Sequence, residues 1–321
     1  MMKTNKIKMY FDCDTGVDDA MALGYLISEA EKVEILGIGS VCGNIDAPSG
    51  AHNTLNLLHL AGIDSIPVAV GEIDYLNKKY LCDVQHIHGE NGIGNVQLSA
   101  SPSALSQESA PEMLVRLARE NPGSLSILAT GPLTNIARAI ELEPHLPEMI
   151  STLTIMGGAA NAPGNRTPVA EANIACDPEA ADIVFKNMNN IVMVPLDVTM
   201  RHTFEESDKQ KLLNADSKFA QKIGQMLELY SGFYINVYGR EACALHDPVA
   251  AVLAVEGLDA CFVPKVSVVI DKTTGPGRGQ TICDLRGQYK GYPQQENANC
   301  YVVLSTEMNM SEHLMRRLLS V

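Results

Sequence analysis

The chain has 321 residues, of which 46% are hydrophobic and 19% charged, and its formal net charge at pH 7 is −14. This composition is typical of a globular protein, and a chain of this length can bury a large core. The negative charge disfavours binding to nucleic acid or to an anionic membrane, because both would repel the protein.

Strand and helix signals alternate through the first two thirds of the chain. Apolar runs predict strands over residues 6–13, 33–43, 66–71, 124–131, 152–159 and 190–198. Periodic apolar positions predict helices over 17–30, 47–62, 132–142 and 177–187, the third with proline in its first turn. This alternation predicts an α/β fold, with a central and mostly parallel sheet flanked by helices.

The last third is mainly helical and then returns to strands. We expect helices over 204–214, 218–239 and 247–257, strands over 262–271, 279–287 and 300–305, and a last helix over 307–319. No repeat or Pro/Ser-rich linker is visible, so we expect a single domain over residues 1–321. Residues 72–108 are rich in Gly, His, Asn and Ser, and a loop of that length predicts a functional flap.

The cysteines and the N-terminal sequence bear on the location of the protein. The eight cysteines show no CxxC spacing, and several lie in apolar runs. This pattern predicts buried, reduced thiols and a cytoplasmic protein. The N-terminal residues lack the apolar segment of a signal peptide, and no uncharged apolar stretch reaches membrane-spanning length.

Small and oxygen-bearing residues follow several of the predicted strands. In an open α/β sheet, ligands bind beyond the carboxyl ends of the strands. We therefore expect these residues to meet at one rim and to form a binding site. In chain order they are Asp12, Asp14, Asp18, Asp19, Gly43, Asn44, Thr130, Gly131, Gly157, Gly158, Asn165, Glu171 and Asn173.

The stretch DCDTGVDD places four aspartates within eight positions, 12–19, and three interpretations compete for it. Asp18 and Asp19 could sit at the positive end of a helix dipole, with Asp14 as its cap. A phosphatase of the haloacid-dehalogenase kind also begins with DxD, but that family has Thr or Val where this chain has Gly16. The third interpretation is a site for a hard cation such as Ca²⁺ or Mg²⁺, because every donor is an oxygen.

A cation site here cannot be an EF-hand, and it would need distant ligands. The twelfth position counted from Asp12 or Asp14 is Leu23 or Tyr25, whereas an EF-hand requires Glu. Asp247, in the stretch LHDP, is a second acidic candidate with His246 beside it. It could equally cap the following helix.

Seven blocks along the chain together resemble the inosine-uridine preferring nucleoside hydrolases, the N-ribohydrolase family. They are DCDTGVDD, VCGN, HIHGENG, ATGPLTN, MGG, GNRTPVAEANIACDPEAA and ALHDP, and they run from residue 12 to residue 248. The DxDxGxDD start is highly specific, and the remaining elements fit the length of that fold. The resemblance implies a calcium-dependent hydrolase that cleaves the N-glycosidic bond of ribonucleosides.

The resemblance also implies a set of metal ligands. Asp14, Asp19 and Asp247 would bind Ca²⁺ through their carboxylates, and Thr130 would bind it through its main-chain oxygen. A calcium-bound water would attack the sugar, with Asp14 as its general base. A bound cation lowers the pKa of water, and Ca²⁺ accepts 6–8 oxygen ligands, which leaves room for a sugar diol.

By the same resemblance, a group of side chains would hold the sugar. Those assigned to the ribose hydroxyls are Asp18, Asn44, Asn173 and Asp247. Asn165 and Glu171 would hold the 5′ end of the sugar, and Met156 would pack on its ring. Ala172 departs from the pattern, since many relatives have Phe there, and its small side chain removes a ring near the 5′ side.

The leaving base would meet two histidines. His246 would face the base, and His88 of the flap would lie near it. Cleavage passes through an oxocarbenium-like state, so the departing base needs a proton or a hydrogen bond, and a histidine with a pKa near neutrality suits that task. Tyr234 and Tyr238 could contact the base or could form a half-buried pair.

The expected function is calcium-dependent hydrolysis of ribonucleosides in nucleoside salvage. The base preference stays open between pyrimidine-preferring and inosine-uridine or broad activity, although the absence of Trp disfavours the purine-only branch. A non-catalytic protein that binds nucleosides or ribose is the alternative. The family also implies a homodimer or a homotetramer, and nothing in the sequence chooses between them.

Overall fold

The computed structural model describes residues 6–321 and has the predicted α/β fold. Within these residues there are fourteen strands. In chain order they are β1 (Ile7–Cys13), β2 (Val33–Ser40), β3 (Val68–Val70), β4 (Leu125–Ala129), β5 (Ile150–Met156), β6 (Ile191–Val194), β7 (Thr203–Glu205), β8 (Ala242–Ala244), β9 (Cys261–Phe262), β10 (Lys265–Val266), β11 (Val268–Ile270), β12 (Thr281–Cys283), β13 (Cys300–Val302) and β14 (Ser305–Thr306).

Eight of these strands form the central sheet, in the order β10-β13-β6-β5-β4-β1-β2-β3. Neighbouring strands are parallel, except that β10 runs antiparallel to β13. The other six strands pair as β7–β8, β9–β14 and β11–β12. A single α/β domain with a mostly parallel sheet is therefore confirmed.

Thirteen α-helices lie in the described residues. In this part of the chain, no helix combines the length and the hydrophobicity that a membrane-spanning segment requires. The helices are α1 (Val17–Ser28), α2 (Ala47–Leu60), α3 (Gln85–His88), α4 (Ala110–Glu120), α5 (Thr134–Leu142), α6 (Leu146–Met149), α7 (Ala172–Cys176), α8 (Pro178–Asn187), α9 (Leu196–Thr199), α10 (Glu206–Leu213), α11 (Lys218–Tyr238), α12 (His246–Glu256) and α13 (Met310–Leu318).

The sheet separates two hydrophobic cores. Met9 and Phe11 of β1 enter one core, whereas Tyr10 between them enters the other, because successive side chains of a strand point to opposite faces. Buried residues of α1, α2, α11, α12 and α13 belong to the first core, and those of α4, α5 and α8 to the second. Helices on both faces leave the carboxyl edge of the sheet open for a site.

The structure differs from the predicted elements at several points. Helix α4 was not predicted, although Ser109 and Glu112 form an S-x-x-E capping box at its start. The strand predicted over 190–198 ends at Val194, because Pro195 has no N–H to donate, and α9 follows. Helix α5 begins two residues after Pro132, so this proline precedes the helix. The strand predicted over 262–271 is divided into β9, β10 and β11.

Most of the predicted flap, residues 72–108, has irregular structure around the short helix α3. It is tied to the body of the protein at separate points. The main-chain N–H of Leu76 donates to the Asp177 carboxylate over 2.9 Å, and the Asn53 amide donates to the main-chain oxygen of Asn91 over 2.8 Å. Gly94 has a φ of +67°, and a Cβ there would lie 2.7 Å from a main-chain oxygen of α11. The flap therefore packs closely against α11 through a residue without a side chain.

Candidate active site

A cavity of about 490 Å³ opens at the carboxyl ends of the parallel strands. Its floor includes Asp18 after β1, Asn44 after β2, Thr130 after β4 and Met156 at the end of β5. These residues come from distant parts of the chain, and the parallel sheet brings them to one edge. Part of the predicted rim lines this cavity: Asp18, Asn44, Thr130, Asn165, Glu171 and Asn173. Asp12 does not line it, and its carboxylate accepts from the Tyr10 hydroxyl at 2.9 Å and from the Asn135 amide at 3.0 Å.

Asp19 lies at the centre of the carboxylate group and is 1% exposed. One of its oxygens accepts a hydrogen bond from the Thr130 hydroxyl at 2.6 Å. The other accepts from the Gly16 main-chain N–H at 2.7 Å and from the Asn44 amide at 3.3 Å. Asp19 therefore accepts a hydrogen bond from a main-chain N–H at the start of α1, as the helix-dipole interpretation predicted. It also faces the other carboxylates.

Asp14 is held in place by Asn44 and does not cap a helix. Its Oδ2 accepts from the Asn44 main-chain N–H at 2.7 Å, and its Oδ1 accepts from the Asn44 side-chain amide at 3.0 Å. The residue that caps α1 is Gly16. Burial, followed by the charge of Asp19, raises the pKa of Asp14 well above its usual value.

Asp18, Asp19 and Asp247 form an acidic cluster, with one oxygen from each lying within 4.8 Å of the others. All three side chains are buried, and Oδ1 of Asp18 has no hydrogen-bond partner. Burial and the charge of Asp19 raise the pKa of Asp18 to about 7, and burial and the charge of Asp18 raise that of Asp247 well above its usual value. Within residues 6–321 no lysine or arginine pairs with them. This oxygen-only arrangement fits a divalent metal ion, whose charge would offset the repulsion.

Asp247 lies in the first turn of α12, whose cap residue is Leu245. The sequence left open whether Asp247 caps this helix, and its side chain makes no capping hydrogen bond. Its carboxylate is instead available to the cluster at the cavity floor.

The amide side chain of Asn173 is oriented by two main-chain oxygens near this cluster. Nδ2 of Asn173 donates to the main-chain oxygen of Thr130 at 2.8 Å and to that of Met156 at 3.1 Å. Its Oδ1 is therefore left to accept a hydrogen bond from a ligand. The Thr130 oxygen, predicted as a metal ligand, lies close to the sugar-binding candidate Asn173.

Glu171 and Asn165 have structural partners in addition to their place in the cavity wall. Glu171 caps α7, accepting from the N–H groups of Asn173 at 2.8 Å and Ile174 at 3.2 Å, and it also accepts from Gly158 at 2.9 Å. Oδ1 of Asn165 accepts from the Ala172 N–H at 2.9 Å, so its Nδ2 is free to donate. Both residues line the cavity, as the resemblance implied.

His88 lies in a buried part of the flap, and a main-chain N–H determines the tautomer of its neutral ring. Its Nδ1 accepts from the Val17 N–H at 3.2 Å, so the neutral ring carries its proton on Nε2. The ring packs against Tyr230 at a centroid distance of 5.4 Å. Burial, followed by the charge of His246, lowers the pKa of His88 to about 3.

His246 begins a chain of hydrogen bonds that ends at the acidic cluster. Its Nδ1 lies 2.9 Å from the Thr199 hydroxyl, and its Nε2 lies 2.8 Å from the Tyr234 hydroxyl. The Tyr234 hydroxyl lies 3.4 Å from that of Tyr230, which donates to Asp18 at 3.1 Å. Burial lowers the pKa of His246 to about 4, so the expected pKa near neutrality is corrected.

One face of α11 forms the aromatic wall beside these histidines. Tyr230, Phe233 and Tyr234 line the cavity. Tyr238, predicted as a possible base contact, stacks on Tyr234 at 5.8 Å, and its hydroxyl donates to the main-chain oxygen of Met200 at 3.0 Å. Tyr238 therefore supports the wall from behind, and the sequence analysis missed Tyr230, which lies one turn earlier on the same face.

Comparison with known proteins identifies the family. The sequence profile described as "Inosine-uridine preferring nucleoside hydrolase" matches residues 9–312. The chain belongs to this nucleoside hydrolase family. It is 35% identical over 293 residues to a probable uridine nucleosidase 2 of Arabidopsis thaliana, covering 91% of this chain and 88% of that protein.

Solved structures agree with this assignment. A plant nucleoside hydrolase superposes with a TM-score of 0.91 at 29% identity, covering 99% of this chain and all of the other. A purine-preferring ribonucleoside hydrolase of Gardnerella vaginalis superposes with a TM-score of 0.88 at 30% identity, covering 98% of both chains. The protein is thus a nucleoside hydrolase, an enzyme that hydrolyses the N-glycosyl bonds of ribonucleosides.

Gly43 has no side chain, and the Asp14 carboxylate of this nucleoside hydrolase occupies the space where a Cβ would lie. A Cβ at Gly43 would lie 1.9 Å from Oδ2 of Asp14, so Gly43→Ala must displace that carboxylate. We expect kcat for ribose release to fall by ~10²-fold, the scale of a misplacement of about 1 Å.

The matched control for this variant is Gly232→Ala in the exposed face of α11, where a Cβ would meet nothing within 4 Å. It should keep kcat and add up to ~1 kcal/mol to the free energy of unfolding. Normal turnover in the Gly43→Ala enzyme would show that the position of Asp14 does not limit catalysis.

Proposed function

We propose that this nucleoside hydrolase is a calcium-dependent enzyme of nucleoside salvage, acting on ribonucleosides to release base and ribose. The observation that carries the proposal is the buried acidic cluster, which shares one cavity with oriented amides and two neutral histidines. Such a cluster is costly without a cation, and an oxocarbenium-like sugar is stabilised by carboxylates below it.

The residues that would hold Ca²⁺ are Asp14, Asp19, Asp247 and the main-chain oxygen of Thr130. The unpartnered oxygen of Asp18 lies in the same cluster and supports the choice of a hard, oxygen-seeking ion. When bound, Ca²⁺ would lower the pKa of water at this floor and coordinate a sugar diol. Asp14, fixed by two hydrogen bonds from Asn44, would act as the general base that accepts the proton.

The ribose would be held by side chains that line the cavity. Asp18, Asn44, Asn173 and Asp247 would bind its hydroxyls. Asn165 would donate from Nδ2 to the 5′ hydroxyl, beside Glu171, and Met156 would pack on the ring.

The base would leave against the wall formed by His246, His88 and the tyrosines of α11. Because both histidines are neutral, they would act as hydrogen-bond donors or as parts of a proton chain rather than as preformed cations. His246 is linked through Tyr234 and Tyr230 to Asp18, so these four groups form one hydrogen-bonded chain beside the proposed position of the base.

The rest of the proposal concerns base preference, cellular location, domain organisation and assembly. The preferred base stays open between pyrimidine and inosine-uridine or broad specificity. The eight cysteines are all unpaired, which supports a cytoplasmic location. We propose that residues 1–321 form one domain and that the enzyme is a homodimer or a homotetramer.

The test is release of reducing sugar from inosine, uridine, cytidine and adenosine, before and after chelation. We expect release to vanish with the chelator and to return with Ca²⁺ but less with Mg²⁺, which tolerates fewer ligands and a stricter geometry. Full activity in the chelated enzyme would contradict calcium dependence. Calcium binding without release from any of the four would favour a nucleoside-binding protein instead.

A further inference from the structure

One wall of the cavity, beyond the floor and the aromatic face, is built mainly from the loop over residues 162–166. It includes Gly164, Asn165 and Arg166, together with Ala172 at the start of α7. Arg166 is the only lysine or arginine that lines the cavity within residues 6–321. On the proposed function, this wall faces the 5′ end of the sugar.

The loop that carries Arg166 is held by its own hydrogen bonds. The carboxylate of Asp197 accepts from the N–H groups of Ala160 at 2.8 Å and Asn161 at 2.7 Å, just before this loop. The Arg166 N–H donates to the main-chain oxygen of Ala170 at 3.1 Å. A Cβ at Gly164 would lie 2.3 Å from that same oxygen, so the loop folds back tightly on itself. The backbone of Arg166 is therefore fixed.

The guanidinium of Arg166 forms an ion pair with Asp83, which lies on the flap. The two residues are 83 positions apart in the chain. Directly after Asp83, the flap residues Val84, Ile87 and His88 line the cavity, on the side that the proposed function assigns to the base. The ion pair thus bridges the wall at the 5′ end and the flap segment beside the base.

After Asp83 the flap also contacts the start of α1 and helix α11: the Val17 N–H donates to Nδ1 of His88 at 3.2 Å, and the ring centroids of His86 and Phe233 are 5.6 Å apart. Sγ of Cys82 lies 3.8 Å from the main-chain oxygen of Asn44, which is a weak contact. Among the described residues, Arg166–Asp83 is the only ion pair between residues 80–90 of the flap and the loop over 159–171. An ion pair in that place can control how firmly the flap covers the sugar.

We propose that Arg166 and Asp83 are positioning residues that latch the flap to the wall at the 5′ end, and that this latch sets the affinity for the ribonucleoside. The inference rests on the proposed function, because that function places the sugar beneath the latch. The pair lies outside the acidic cluster and contacts none of the groups assigned to the chemical step. Breaking it should therefore raise KM and leave kcat nearly unchanged.

The test compares Arg166→Gln, Asp83→Asn and the charge-swapped double variant Asp83→Arg/Arg166→Asp with the unchanged protein. With the best of the four nucleosides, each single variant should raise KM about two- to fivefold, the scale of a half-exposed ion pair. The double variant should recover most of that loss. Hydrogen exchange of the amides of residues 87–89 should quicken in the single variants, since those amides bond within the flap.

Arg119→Gln is the matched control. The Arg119–Glu143 pair has side-chain exposures of 58% and 13%, against 38% and 48% for Arg166–Asp83, and it joins α4 to the residue after α5, away from both the cavity and the flap. It should change neither KM nor flap exchange. A single variant with unchanged KM and exchange, a loss confined to kcat, or a charge swap without recovery would each overturn the latch. No ribose release from the unchanged protein would instead overturn the proposed function.

Discussion

Replacing Asp14 with asparagine should lower kcat by ~10³-fold or more, because the proposed general base and one proposed metal ligand are lost together. Asparagine keeps the shape of the side chain and one acceptor oxygen for Asn44, but it cannot take a proton from water. The fold should survive, since the substitution removes one charge from a buried group of carboxylates. The measurement is single-turnover ribose release with saturating nucleoside and Ca²⁺.

Thermal unfolding provides a readout of the same variant that does not depend on activity. In chelator, the Asp14→Asn protein should melt no lower than the unchanged protein, because the repulsion with Asp19 is relieved. Added Ca²⁺ should raise Tm less in the variant, since ligand-induced stabilisation follows the affinity for the ion. Turnover like that of the unchanged enzyme would remove Asp14 from both proposed roles.

Asp46→Asn is the matched control for this change. Asp46 is half-buried close to Asn44, and it caps α2 by accepting from the Ser49 N–H at 2.9 Å. Asparagine caps helices about as well as aspartate, so both stability and kcat should be preserved. A large loss in this variant would mean that the loss caused by Asp14→Asn is not specific to the Asp14 carboxylate.

Replacing His246 with alanine should separate substrates by their leaving groups. We expect kcat/KM to fall ~10²- to 10³-fold for the natural nucleosides, whose bases need a proton, and less than about threefold for p-nitrophenyl riboside. The structural basis is the contact of 2.8 Å between Nε2 of His246 and the Tyr234 hydroxyl, at the end of a hydrogen-bonded chain. Steady-state kinetics on both substrates measure the difference.

Two further variants test whether the effect on the leaving group is specific to His246. Tyr234→Phe removes the hydroxyl partner of His246 and should give a smaller loss with the same dependence on leaving group. His145→Ala changes a histidine whose side chain is 72% exposed, and it should alter neither substrate. Equal losses on both substrates in the His246→Ala enzyme would show that His246 does not assist the departing base.

The sequence by itself determined the fold class, and it predicted that polar residues from several strand ends meet at one edge of the sheet. The alternation of strand and helix patterns was enough to predict a parallel sheet. These patterns repeat every 2 residues in a strand and every 3.6 residues in a helix, so they can be read from the local sequence. The polar residues after β1, β2, β4 and β5 then had to meet, since parallel strands share one carboxyl edge. Specific blocks such as DCDTGVDD carried the resemblance to the family that the comparisons confirm.

Only the tertiary structure decided what each side chain touches. The cluster of Asp18, Asp19 and Asp247 joins residues more than two hundred positions apart, and no spacing rule predicts which oxygens converge. Burial in the folded protein also decided the low pKa of His246, because desolvation depends on neighbours that the local sequence does not reveal. The structure likewise revealed the place of Tyr230 in the cavity wall and the Arg166–Asp83 ion pair. Both depend on how α11, the flap and the loop that carries Arg166 pack around one cavity.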